Sequence, residues 1–460
     1  MAGSDVDRLG ALVAGLRVEL AVRDATIVEL GAQVKRLTGL LEEARRAGKR
    51  QASPFSKGDP VADPKRPGRK KGSGYGRHAR RAVPDRVDYE LEARLSGCCP
   101  DCGGVVVGDG VREQFVCEVP ESAPKVTRIR VHVGRCTKCR RRVQGRHPFQ
   151  HSDALGAAGV MLGPRALGIG HLLHYRYGLS FARCAAVLSE MFGLKVSRAA
   201  LCRAAASTAV ELAPTHALIR ETVNAAPAVT ADETGWRVGG GRRWLWVVTS
   251  PAATLFRVCE GRGFDDAKTL LDASYSGVLV RDGWAPYRSY DKATHQSCIA
   301  HLTRRAHELK IELPAVQARF PVAVGKILDE ALAWRDEQRP LAERIDAADM
   351  LGLRLKSLCA TPLIGEPNRR FAKHLTREAD AIFTFLTHDN DAANWRAEQA
   401  IRPAVVNRKT FGGNRTGNGA STLSVITSVL VTATQQGHAA LDVLVRSARA
   451  PAPAPAFTIN

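Results

Sequence analysis

The chain has no start of the secretory kind, because Asp5, Asp7 and Arg8 interrupt its first residues. No apolar run approaches the ~18 residues that a membrane span requires. Together these absences predict a cytoplasmic protein with no membrane partner. A secreted disulfide framework is absent too. Eleven cysteines are spread over 460 residues, and Cys184, Cys202, Cys259, Cys298 and Cys359 stand singly. Acidic charge is scarce: 46 Asp and Glu face 67 Lys and Arg, leaving a net charge of +21. Such an excess favours a polyanionic partner, nucleic acid before membrane. The plain alternative is a generally basic protein with no dedicated partner. With 45% apolar residues, the chain is long enough for about two to four domains.

Residues 1–47 carry a heptad. Val13, Leu20, Ile27, Val34 and Leu41 step by seven, and Leu9, Leu16, Leu30 and Leu37 fill a second seam whose misfit is Arg23. Branched aliphatics on one seam with Leu on the other predict a parallel two-stranded coiled coil, hence a homodimer or higher oligomer. An amphipathic helix packed on the protein's own body is the alternative. Residues 48–87 mix Pro, Gly and many basic residues, including Arg69, Lys70 and Lys71. This composition predicts a flexible linker that also lies on DNA phosphates.

Residues 88–150 hold "CCPDC" and "CTKC". Cys99 with Cys102, and Cys136 with Cys139, have CxxC spacing with strand-like runs between. Four thiolates so arranged suit structural zinc, with Cys98 able to replace Cys99. A redox dithiol competes but needs only one pair. Residues 151–224 read as helices broken at "FGLKVS". A helix, a Gly-containing turn, a Ser cap and a second helix suggest a helix-turn-helix that binds DNA, or a plain helical bundle.

From residue 225 to 448 the pattern becomes three strand candidates, then strands alternating with helices. "AVTADETGWRV" places Asp232 after an apolar run, and "GVLVRDGWAPY" places Asp282 similarly. If the two strands are adjacent, the carboxylates meet, and two close anions require a cation between them. Mg2+ or Mn2+, as a pair of ions, fits such hard oxygen ligands. Glu398 offers the third acid, on a helical face shared with Asn394, Ile401, Arg402 and Val405. Arg402, Arg408, Lys409 and Arg415 are the expected DNA contacts beside it. Each acid also has a plain reading, as a turn acceptor, a cap or half of a helix salt bridge. Glu233, Asp265, Asp266, Asp389 and Asp391 read as surface acids, and His301 as a core or supporting histidine. Residues 449–460, with "APAPAPAF", read as a disordered tail.

The segments "TADETGWRV", "VLVRDGWAPY", "CIAHLTR" and "NWRAEQAIRPAVVNRKTFGGNRT" resemble transposases of the insertion-sequence-66 family. The likeness runs through nearly the whole chain and is most specific in the core. It implies a multidomain α/β protein with a ribonuclease-H-like mixed-sheet catalytic core and a helical insertion at about 303–390. A coiled coil, a zinc-binding domain and a helical DNA-binding segment would precede that core. It further implies that Asp232, Asp282 and Glu398 form an Asp-Asp-Glu triad acting on transposon ends and target DNA, with accessory proteins of the same element as possible partners. Gln399 departs from the basic residue that members often carry there. The competing functions are a catalytically inactive DNA-binding regulator of the element and a structure-specific nuclease.

Overall fold

The structure is a computed structural model. It describes scattered positions between 15 and 37, and residues 82–459 other than 121, 122, 148, 151, 152, 451 and 452. The chain divides into two compact units, Met1–Val119 and Pro120–Asn460. The linker residues Arg69, Lys70 and Lys71 lie outside the described residues.

In the first unit the described positions between 15 and 37 are helical. The heptad residues Leu16, Leu20, Ile27, Leu30, Val34 and Leu37 are all exposed. Further on, an isolated antiparallel bridge joins Cys98 to Val105. It closes a turn in which Gly103 N–H donates to the Cys99 carbonyl at 2.9 Å and Cys99 N–H donates to the Gly104 carbonyl at 2.8 Å.

The second unit opens with a short antiparallel pair, β1 (Val133–Arg135) and β2 (Arg142–Gln144). The turn between them repeats the first unit's bonds. Arg140 N–H donates to Cys136 and Cys136 N–H donates to Arg141, both at 2.9 Å. Arg140 takes φ 61°, the left-handed conformation that Gly103 takes at φ 73°. A residue with a Cβ adopts it only where the surrounding bonds require it.

Four helices follow: α1 (Pro164–His171), α2 (Phe181–Phe192), α3 (Arg198–Glu211) and α4 (Ala213–Ala225). The glycine turn and serine cap predicted between α2 and α3 are present, at Gly193 and Ser197. Ser180 accepts from Arg183 N–H, Ser197 accepts from Ala200 N–H, and Gly193 ends α2 in the left-handed conformation. Cys184, Leu188 and Leu201 form the small core of this layer.

The central sheet has the order β5-β4-β3-β6-β7. Its strands are β3 (Ala228–Val238), β4 (Gly241–Thr249), β5 (Thr254–Cys259), β6 (Val278–Arg281) and β7 (Thr294–Ser297). β3, β4 and β5 pair antiparallel, while β3–β6 and β6–β7 pair parallel. A two-residue turn, Gly239 (φ 58°) and Gly240 (φ 82°), joins β3 to β4. Both turn residues need positive φ for the hairpin to match the strand twist. "FDDAKTLLDAS" has helical spacing, yet α5 (Phe264–Ala267) is one turn long.

Three helices complete the core: α11 (Trp395–Phe411), α12 (Gly417–Gln435) and α13 (Ala440–Arg449). Between β7 and α11 lie α6 (Ile299–Glu312), α7 (Ala315–Asp336), α8 (Leu341–Ala360), α9 (Glu366–Glu378) and α10 (Thr384–Thr387). They pack on a hydrophobic core of their own, separate from that of the sheet.

α12 shields the exposed edge of β5. Ser424, Ser428 and Thr432 accept from the N–H groups of Val258, Phe256 and Thr254 at 3.1, 2.8 and 3.0 Å. Two strand residues advance about 6.7 Å and four helix residues about 6.0 Å, so three successive bonds stay in step. An otherwise open template for strand pairing is thereby blocked.

The expected disordered tail is not borne out over 453–459. Phe457 is buried in the main core with Ala456 and Ile459 beside it, and Ala456 N–H donates to Thr215 Oγ1 at 2.9 Å. Two large apolar side chains close to the core outweigh the Pro-Ala composition. Among the described residues no helix is long and apolar enough to cross a membrane.

Candidate active site

Asp232 does not end its strand, as the sequence suggested. β3 runs six residues further, to Val238, because its antiparallel partner β4 accompanies it to the hairpin. On the other side the parallel pairing with β6 stops at Thr230↔Val280. Extending that register two residues puts Asp232 level with Asp282, which directly follows β6. Side chains level in adjacent strands point to the same face. Both acids therefore stand where the sheet opens.

Glu398 arrives from α11, in its first turn, where the helix dipole favours an anion. Asp232 senses the other two acids. Burial, then the neighbouring Glu233, push the Asp232 carboxyl up to about 7, and the charges of Asp282 and Glu398 add to the effect. Asp232 Oδ1 accepts from Glu233 N–H at 2.9 Å. Asp282 Oδ1 accepts from Trp284 N–H at 2.8 Å, which orients its carboxylate. Among the described residues no three His, Cys, Asp or Glu side chains are close enough to hold one ion. Asp282 and Glu398 are near enough to influence Asp232, but the three acids are not gathered into a single ion-holding cluster.

His301, in the first turn of α6, places Nε2 3.7 Å from Glu398 Oε1. It flanks Glu398. Asn394, which begins α11, is almost wholly buried, and among the described residues neither of its side-chain polar atoms is hydrogen-bonded.

Glu233 is not a surface acid. Its side chain is 1% exposed and pairs with Arg262, whose Nε donates at 2.7 Å; Tyr287 Oη donates to its other oxygen. Burial raises its pKa, Tyr287 and Arg262 oppose that rise, and the charge of Asp282 adds to it. Arg262 also stacks against Trp244 and Trp284, with centroid distances of 4.8 and 3.9 Å. Along β3 Glu233 is buried on its face of the sheet, while Asp232 on the other face is half-buried. The unbroken apolar lead-in is the signal that could have identified Glu233. Asp266 also turns inward, accepting from Gly261 and Gly263 N–H. Asp391 pairs with Arg396, while Asp265 and Asp389 are exposed.

The basic residues separate into two groups. Arg408 Nη1 donates to Gly235 O and Thr234 Oγ1, fastening α11 to β3. Arg402, Lys409 and Arg415 are exposed. The Gly-rich turn before Arg415 is held to the hairpin: Asn414 Oδ1 accepts from Trp236 Nε1 at 2.7 Å, and Asn414 N–H donates to Arg237 O at 2.9 Å. A Cβ on Gly413 (φ 110°) would come within 2.4 Å of Arg237 O, so this close approach requires glycine.

All eleven cysteines are free. Cys99 and Cys102 belong to the first unit, Cys136 and Cys139 to the second. Hydrogen bonds from the backbone of Cys102 and Asp101 lower the Cys99 thiol, and those of Cys139 and Lys138 lower Cys136. Each turn is thus shaped to favour a thiolate.

A family model described as "Transposase IS66 family" matches residues 159–422, a span that includes all three acids. An uncharacterized protein of Sinorhizobium fredii, y4qI, is 26% identical over 408 residues, covering 78% of this chain and 71% of that protein. The family match takes in more than half of the sequence and the whole of the sheet, and on that ground the chain belongs to the IS66 family of transposases.

Proposed function

We propose that Asp232, Asp282 and Glu398 are the catalytic acids of a DNA transposase that cleaves the ends of its insertion sequence and joins them to target DNA. One observation carries the reading. Asp232 and Asp282 stand level where the β3–β6 pairing ends, and Asp232 also feels the charge of Glu398 from α11. The strand order and mixed pairing support a ribonuclease-H-like core. The donor set fits Mg2+ or Mn2+: hard carboxylate oxygens, with the Asp232 carboxyl pushed up to about 7 by burial and then by the neighbouring acids, which a bound cation would offset. With two such ions bound, the site would supply charge neutralisation for the attacking and leaving oxygens of an in-line displacement.

The chain's own residues do the positioning. Trp284 N–H fixes Asp282, the α11 dipole and His301 face Glu398, and the Glu233–Arg262–Tyr287 cluster supports the strand beneath. Exposed Arg402, Lys409 and Arg415 line the approach as contacts for DNA phosphates, with Arg69, Lys70 and Lys71 adding to them. Arg198 and Arg203, exposed on α3, suit the helix-turn-helix role in recognising the ends. Each CxxC turn has backbone bonds of the same pattern, which supports Cys99 and Cys102, and likewise Cys136 and Cys139, as thiolate pairs for structural zinc. The exposed heptad positions support a coiled-coil homodimer.

The test is strand cleavage in vitro on DNA carrying the element's ends, with Mg2+ or Mn2+ and any accessory proteins supplied. Wild type should nick and join. Asp232→Asn, Asp282→Asn and Glu398→Gln should bind the ends but not cut them. Binding without cutting by wild type would identify a regulator, and cutting of branched DNA irrespective of the ends would identify a nuclease.

A further inference from the structure

The helical insertion has its own core and no part in the sheet, yet one of its residues reaches beneath Asp282. Glu378, the last residue of α9, has a side chain that is 0% exposed. Its two carboxylate oxygens hold two arginines of the core. Oε2 pairs with Arg281 and accepts from Ser297 Oγ at 2.7 Å, and Oε1 pairs with Arg288 at 3.3 Å. Each guanidinium then binds one backbone carbonyl of the acid's own loop. Arg281 Nη1 donates to Asp282 O at 3.1 Å, and Arg288 Nη1 donates to Gly283 O at 3.2 Å. From the same helix, His374 lies so close that a Cβ on Gly283 would come within 2.6 Å of its Cε1.

We propose that the insertion is the positioning arm of Asp282: Glu378 fixes Arg281 and Arg288, which hold the Asp282 and Gly283 carbonyls, while His374 backs the loop. The carbonyls are tied from below, and the carboxylate is tied through Trp284 N–H. Between them these bonds restrict how the side chain presents its oxygens. The arginines bond the loop only at its carbonyls and His374 packs against Gly283, so the network itself occupies neither Asp282 carboxylate oxygen. Its carboxylate also neutralises Arg281, whose buried charge would otherwise repel a cation next door. Supporting groups of this kind set how well a ligand binds its ion. Glu378 and the two arginines are positioning residues and touch no substrate.

The inference rests on the triad reading above, and its test separates the two. Mn2+ binding to the full-length protein is followed by the loss of the free-ion EPR signal, with circular dichroism and melting as controls for folding. Glu378→Gln should raise the Mn2+ Kd roughly 10- to 100-fold, with partial recovery in Glu378→Asp and a smaller rise in Ser297→Ala. A folded Glu378→Gln protein with wild-type affinity would overturn the proposal. If Glu378→Gln does not fold, Ser297→Ala and Gly283→Ala decide: weakened binding supports the arm, and wild-type affinity in both refutes it. Binding that Asp282→Asn leaves unchanged would instead refute the triad itself. That result is distinct from a site sensitive to Asp282→Asn but indifferent to Glu378.

Discussion

Replacing Asp232 by Asn should stabilise the metal-free protein at pH 8 and leave it nearly unchanged at pH 4. In the fold, burial and then the Glu233 charge push this carboxyl from an ordinary 3.8 up to about 7, with Asp282 and Glu398 contributing. Between those two values the folded protein keeps a proton that the unfolded chain has released. Stability therefore falls as pH rises through this window, and the whole cost is felt above pH 7. A gap of about three pKa units corresponds to roughly 4 kcal/mol. Asn keeps the acceptor for Glu233 N–H and has no charge to bury, so the variant escapes the cost. At about 2–4 °C per kcal/mol for a large domain, the melting temperature in EDTA should rise by about 8–16 °C at pH 8. Added Mg2+ should narrow the gap by stabilising wild type alone, since a ligand of the native state raises its stability. Thermal melts of both proteins at the two pH values, with and without Mg2+, provide the assay. A variant that melts at or below wild type at pH 8, or gains equally at pH 4, would refute the reasoning.

Other expectations follow from particular contacts. Ser428→Ala removes the acceptor for the buried Phe256 N–H and should cost roughly 1–3 kcal/mol, read by urea unfolding. Ile27→Lys puts a charge on the heptad seam and should lower the sedimentation mass of the full-length protein towards the monomer; an unchanged mass would argue that the helix does not pair. Arg415→Ala should weaken DNA binding irrespective of sequence and reduce the salt slope by about one, measured by fluorescence anisotropy over a salt series.

Much of the core was legible because its signals are local. Alternation and apolar runs marked all five strands, and Ser197 and Gly193 marked the helix boundary between α2 and α3. The two aspartates could be matched because each follows a short apolar run. Their meeting depended on β3 and β6 being neighbours, which a register offset of 50 residues makes level. What escaped the sequence was set by distant partners. Glu233 looks like a surface acid until Arg262 and Tyr287 close over it. Glu378 and Arg281 are 97 residues apart, and nothing in the periodicity of α9 distinguishes a helix-terminal Glu bound for solvent from one that enters a buried ion pair. Phe457 stood in a Pro-Ala tail whose composition concealed an apolar anchor. In each case the deciding term is tertiary burial, which no window of neighbouring residues contains.

The most direct measurement is anomalous diffraction from crystals grown with Mn2+. Manganese density in contact with the carboxylates of Asp232 and Asp282, with Glu398 turned towards it, is the expected result. Manganese bound elsewhere with those three side chains bare, in crystals that also contain end DNA, would mean that the acids are not the metal site.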